Sequence, residues 1–194
     1  GGTPGASNAV PVRYPPVAAV SAVASVFETQ SVWLDGSESA DPEGGALTYA
    51  WRQVDGPEGV FSSTNQSIVD YTAAAVTSDA VVRLELVVTD EDFSSATAVV
   101  EVLVVNVGLL AGGRLEGDTA WSTADSPVGV WTNLVVPRGL RLDIGAGVRV
   151  LLATGCSVVV EGVLEAEGSG AAPIEFTCRS EEHTSELQSH DDIS

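Results

Sequence analysis

VVRLELVVTDEDFSSATAVVEVLVVNV, residues 81–107, reads as two strands joined by a turn. Val82, Leu84, Leu86 and Val88 fall on one side, with Arg83 and Glu85 opposite. Val100, Val102 and Val104 share a side, with Glu101 opposite. Side chains of a strand alternate between faces, so this period of two buries one face and wets the other. The acidic break at Asp90-Glu91-Asp92 separates the two runs.

The same alternation predicts strands at Val17–Val20, Ser31–Asp35, Leu47–Val54, Ser67–Tyr71, Val81–Thr89 and Thr97–Asn106. Leu47, Tyr49 and Trp51 share an inner face, which makes Trp51 a core filler. Short apolar runs between turn signals are the pattern of a β-sandwich over residues 17–106. Before it, residues 1–16 (GGTPGASNAVPVRYPP) read as a Gly- and Pro-rich linker. Residues 107–113 read as a junction.

From Arg114 the pattern tightens. Leu140, Leu142 and Ile144 alternate with Arg141 and Asp143; Val148 and Val150 flank Arg149. Leu164 and Ala166 alternate with Glu165 and Glu167, and Ile174 and Phe176 flank Glu175. Glycines break these strands every few residues, too often for a sandwich. A coil stacking on copies of itself over residues 114–178 is the expectation. Such a stack leaves an open apolar end, so further coils are expected beyond this stretch.

Two resemblances sharpen this reading. LDGSESADPEGGALTYAWRQVDGP (34–57) and RLELVVTDEDFSSATAVVEVLVVNV (83–107) resemble the polycystic-kidney-disease (PKD) repeat family, in its receptor-for-egg-jelly-like variant. The resemblance implies an immunoglobulin-like sandwich. Typical members carry a Gly in the last loop where this chain has Asp92-Phe93. GDTAWS (117–122), VPRGLRLDIGAGVRV (136–150), VEGVLEAEG (160–168) and PIEFT (173–177) resemble the first coils of right-handed parallel β-helix domains of surface proteins. The fold class expected is therefore all-β: a sandwich followed by a truncated parallel β-helix.

Residues 179–194 (RSEEHTSELQSHDDIS) resemble the translated read-through of a sequencing adapter. They are set aside as a disordered, non-native tail.

Composition limits the function. The 194 residues carry a formal net charge of −19, and all eight basic residues are Arg. Such a surface repels phosphate backbones and anionic lipid, so nucleic acid is excluded as a partner. No apolar run is long enough to span a bilayer. His183 and His190 both lie in the set-aside tail, which removes Ser-His-Asp and Cys-His catalysis from the rest. Without Lys there is no Schiff-base amine. The expectation is no enzyme.

Three groups remain as candidate sites. The loops at one end of a sandwich would bring Asp35, Asp41 and Glu43 towards Asp90, Glu91 and Asp92. Ca²⁺ takes about six to eight oxygen ligands, so these acids are the candidate cation site. They also serve simply as turn formers. Trp33, Trp121 and Trp131 are candidate sugar-stacking rings. Cys156 and Cys178 stand 22 residues apart, about one coil, and are either a cross-coil disulfide or two buried thiols.

The two resemblances imply a non-catalytic structural or adhesive module of a secreted or cell-surface protein. Its partners would be other domains of the same protein, an extracellular protein or a polysaccharide. The alternative is the non-catalytic opening of a secreted carbohydrate-active β-helix enzyme, a lyase or hydrolase.

Overall fold

The computed structural model describes residues 13–178, and every regular element among them is a strand. The chain folds as two compact units, divided between residues 104 and 105.

In the first unit the strands are β1 (Ser21–Ala22), β2 (Ser25–Phe27), β3 (Ser31–Asp35), β4 (Thr48–Asp55), β5 (Val60–Phe61), β6 (Ile68–Thr72), β7 (Ala80–Thr89) and β8 (Ser95–Val105). They form two four-stranded sheets, in the orders β1-β3-β6-β5 and β2-β8-β7-β4. The register of the second sheet sets Leu86 between Trp51 and Ala98, and Leu84 between Gln53 and Val100. Alternation then does what the pattern demands. Val82, Leu84, Leu86, Val88, Val102 and Val104 are fully buried. They meet Val32, Leu34, Val69 and Tyr71 of the facing sheet.

Two polar groups enter this core and both are satisfied. The Trp51 indole Nε1 donates to the Gln66 carbonyl at 2.9 Å. The Tyr71 hydroxyl donates to Gln53 Oε1 at 2.8 Å, while its ring packs edge-on against Phe61 with centroids 5.0 Å apart. A buried hydroxyl without a partner would cost about 1–3 kcal/mol, so Gln53 is part of the core's design.

The second unit is a parallel solenoid. Its strands are β9 (Leu109–Arg114), β10 (Thr119–Trp121), β11 (Val128–Val136), β12 (Arg141–Ile144), β13 (Arg149–Leu152), β14 (Val158–Val160), β15 (Val163–Ala166) and β16 (Glu175–Cys178). One sheet stacks β9, β11, β13 and β16 in parallel; a second stacks β10, β12 and β15. The β9–β11 register shifts between Val130 and Leu134, and the second half of β11 carries β14. The chain thus returns to the same face every 19, 22 and 26 residues, from Leu109 to Val128, Val150 and Phe176. These returns make a solenoid of about three turns.

Inside each turn apolar side chains stack on their equivalents. Val128, Val130, Leu134, Val136, Leu142, Val148 and Val150 are fully buried. Equivalent positions of the last described turn, Val158, Leu164, Ile174 and Phe176, are only half-buried. Gly162 lets the turns nest. A Cβ there would collide with the Pro137 and Leu140 carbonyls, so the corner of one turn sits directly on the corner before it. The Gly162 N–H donates to Val136 O at 3.0 Å across that contact.

Three elements differ from the sequence expectation. The strand expected at Val17–Val20 is reduced to a single bridge from Val17 to Ala40, and the pairing falls instead to β1 and β2. The run VAAVSAVASV carries too little contrast between faces for alternation to fix a register. β5 lies outside the expected strands, since two residues give no period. Leu109–Arg114, which begins inside the expected junction and ends at the expected start of the coil, pairs in parallel with β11 and is the solenoid's first strand. Residues 1–12 of the expected linker and the set-aside 179–194 lie outside the described residues.

Candidate functional site

Three segments converge at one end of the sandwich. Thr48, which opens β4, pairs with Thr89, and Thr89 pairs with Ser95. The β3–β4 and β7–β8 loops therefore project from the same end. Residues 13–17 join them: Arg13 forms an ion pair with Asp92, the Tyr14 N–H donates to Glu43 Oε1 at 3.1 Å, and Val17 bridges Ala40.

The expected cation ligands lie here; Asp35, Asp41 and Asp90 are each engaged by their own loop, while Glu43 and Asp92 are engaged by Tyr14 and Arg13. Asp35 Oδ1 accepts the Ser37 N–H at 2.8 Å. Asp41 Oδ1 accepts the Glu43 N–H at 2.8 Å. Asp90 is buried, and its Oδ1 accepts the N–H groups of Asp92 and Ser94, both at 2.8 Å. Such bonds between a carboxylate and the backbone two residues on are what make Asp a turn former. The Ser37 hydroxyl, then its N–H, hold Asp35 below the usual carboxylate range. Among the described residues no three acidic, His or Cys side chains come together as a metal-holding group.

The expected aromatic rings separate. Trp33 is 75% exposed, on the outer face of the β1-β3-β6-β5 sheet. Register places it directly across from Asp70 and sets the Asp35–Ile68 pair beside it. Ile68 and Val60 are exposed on the same sheet. Trp131, 46% exposed, sits where the β9–β11 register shifts. Trp121 corrects the expectation: it is only 3% exposed and packs inside the solenoid beneath Ile144, so its ring offers no face to a sugar. Its neighbours Thr119 and Ala120 on a three-residue strand give no alternation from which to read that direction.

Cys156 and Cys178 are both free thiols. The expected pair of buried thiols is also corrected, since Cys156 is half-buried and Cys178 exposed, opposite Leu152 on the last described strand. Burial, with Cys178 adding to it, pushes the Cys156 thiol above its ordinary value.

Two contributors to the Trp33 face are invisible to sequence reasoning. Asp70 and Ile68 approach Trp33 only through the β3–β6 register, which no local pattern fixes. Phe93 is a third residue absent from the expected sites. Its signal is present in the sequence: a Phe where the loop pattern asks for Gly.

The described chain is thus an all-β protein, an immunoglobulin-like sandwich followed by a parallel β-solenoid. Residues 22–104 match the family model described as K319L-like, PKD domain. A comparison with curated proteins found no match. Among solved structures, the PKD1 domain of Vibrio anguillarum Epp is 23% identical, over 49% of this chain and 99% of that one, with a TM-score of 0.37. The PKD1 domain of the Vibrio cholerae metalloprotease PrtV is 22% identical, over 48% of this chain and 100% of that one, with a TM-score of 0.36. A nucleoside hydrolase-related hypothetical protein from Saccharophagus degradans, associated with carbohydrate metabolism, is 18% identical over 48% of this chain, with a TM-score of 0.42. The chain spans 26% of the length of that protein.

Proposed function

We propose that this chain is a non-catalytic contact module of a secreted or cell-surface protein, and that its sandwich takes a neutral polysaccharide on the Trp33 face. The observation that carries this is an indole three-quarters exposed on a sheet face, rimmed by the carboxylates of Asp35 and Asp70. An indole face stacks on the C–H side of a sugar ring, as apolar surface leaves water. Carboxylates beside it accept hydrogen bonds from sugar hydroxyls, which a charged acceptor strengthens. The net charge of −19 disfavours acidic polymers and leaves neutral ones.

The test is co-sedimentation of the full chain with insoluble cellulose, chitin and xylan. Binding to at least one is expected, with most of it lost in Trp33→Ala. Trp33 points away from the core, so that variant keeps the parent's melting temperature. No reducing sugar is released from any of the three. Equal sedimentation of parent and variant, or none by the parent, would overturn the reading.

A further inference from the structure

The tip of the β7–β8 hairpin holds an aromatic side chain where folding alone would place a glycine. Phe93 adopts φ 65° and is 90% exposed. A bulky side chain in the left-handed region is an outlier, because its Cβ crowds the following carbonyl. The loop imposes this conformation. Asp90 Oδ1 binds the N–H groups on both sides of Phe93, those of Asp92 and Ser94. The Phe93 N–H itself donates to Asp90 O at 3.3 Å, and the Asp90 N–H to Ser94 O at 3.0 Å. The hairpin is thus fastened beneath its tip, and the ring stands in solvent rather than in the core.

Its surroundings decide what it fits. The Arg13–Asp92 pair brings Tyr14 and Val17, both exposed, to the same end. Asp41 and Glu43 of the β3–β4 loop and Glu91 and Asp92 of the hairpin make this end acidic; Glu43 accepts the Tyr14 N–H and Arg13 pairs with Asp92. A flat polymer stacks on an open face, but a projecting ring on a fixed tip is enclosed by the apolar side chains of a flexible partner segment. Phe also lacks the polar handle that a sugar or a headgroup engages. We infer that the Phe93 hairpin is a second contact site, which engages a basic segment with clustered apolar side chains on a partner protein. The ring supplies the anchor, and the acids supply charge complementarity and steering. This site is independent of the Trp33 face, which lies on the outside of a sheet.

The experiment pans a random dodecapeptide library displayed on phage against the immobilised full chain. Enriched peptides are then measured by titration against the parent, Phe93→Gly, Phe93→Tyr, Glu91→Gln and Trp33→Ala. Enriched sequences are expected to combine Arg or Lys with a cluster of apolar residues. Their affinity is expected to fall about tenfold or more in Phe93→Gly. It should survive Phe93→Tyr and Trp33→Ala, and weaken in Glu91→Gln and in raised salt. Phe93→Gly should meanwhile melt no lower than the parent, since glycine relieves the backbone. Absence of enrichment, enriched peptides without basic residues, or equal binding by Phe93→Gly would each overturn the inference. So would a lowered melting temperature for Phe93→Gly, which would make the ring part of the fold's own packing. Trp33→Ala separates the two readings: loss of these peptides there would assign them to the sheet face instead.

Discussion

The Arg141 guanidinium grips the Glu165 carboxylate of the next solenoid turn through two hydrogen bonds, at 3.1 and 2.8 Å. Parallel stacking creates this contact, because Arg141 and Glu165 lie on adjacent strands of one ladder. Arg149 and Glu175 repeat the arrangement at 3.2 Å, and they too lie on paired strands. Both partners of the Arg141–Glu165 pair are about half exposed, so water and salt screen them. Exposed pairs of this kind contribute about 0–1 kcal/mol. Glu165→Gln is therefore expected to lower unfolding stability by less than about 1 kcal/mol in urea, with the difference fading as salt is raised. A loss that is larger and indifferent to salt would show that the ladder is stiffer than its exposure implies.

What the ion pairs do not supply, the buried stack does. Leu142 is fully buried between Thr119 of the turn before and Leu164 of the turn after. Truncating it leaves a cavity enclosed by neighbouring turns, so Leu142→Ala is expected to cost about 2–5 kcal/mol. Leu164 has a neighbour on one side only among the described residues and is half-buried. Less area leaves water there and the site can collapse, so Leu164→Ala is expected to cost about half as much. Hydrogen exchange of the β12 amides in mild urea reads both variants. Equal costs would mean that Leu164 is covered as well as Leu142.

The same contrast shows what the sequence discloses and what it hides. Where strands are long and one-sided, alternation alone names the buried face: Val82, Leu84, Leu86 and Val88 are all inside. The solenoid is legible for the same reason, since Leu142, Ile144, Val148 and Val150 alternate with Arg141, Asp143 and Arg149. Short strands defeat the method. Trp121, on a three-residue strand, is expected outside and lies buried.

The candidate sites are less legible still, because they depend on register and on hydrogen bonds. Nothing local in Trp33 predicts that Asp70 stands across from it. Acids at 35, 41 and 90 read equally well as cation ligands or as turn formers, and their bonds to Ser37, Glu43, Asp92 and Ser94 are set by loop geometry that no local pattern discloses. Phe93 is visible as a departure from a loop pattern, but its conformation is not.

Those loop carboxylates carry a consequence for acid stability. Hydrogen bonds from Ser37 hold Asp35 low, and the Ser122 N–H, then its hydroxyl, do the same for Asp125. In the unfolded chain both return to about 3.9. A folded-state value below the unfolded one means the charged form is favoured by folding. The contribution is therefore complete above about pH 4 and is lost as the pH falls through the lower folded values. Melting temperature is expected to hold down to about pH 4 and to drop below it, and the Asp35→Asn, Asp125→Asn double variant should show a shallower drop. Because no three acidic side chains converge at the sandwich end among the described residues, millimolar CaCl₂ at neutral pH should raise melting no further than NaCl of equal ionic strength. A specific rise with CaCl₂, abolished by Asp41→Asn, would instead make the sandwich end a cation site.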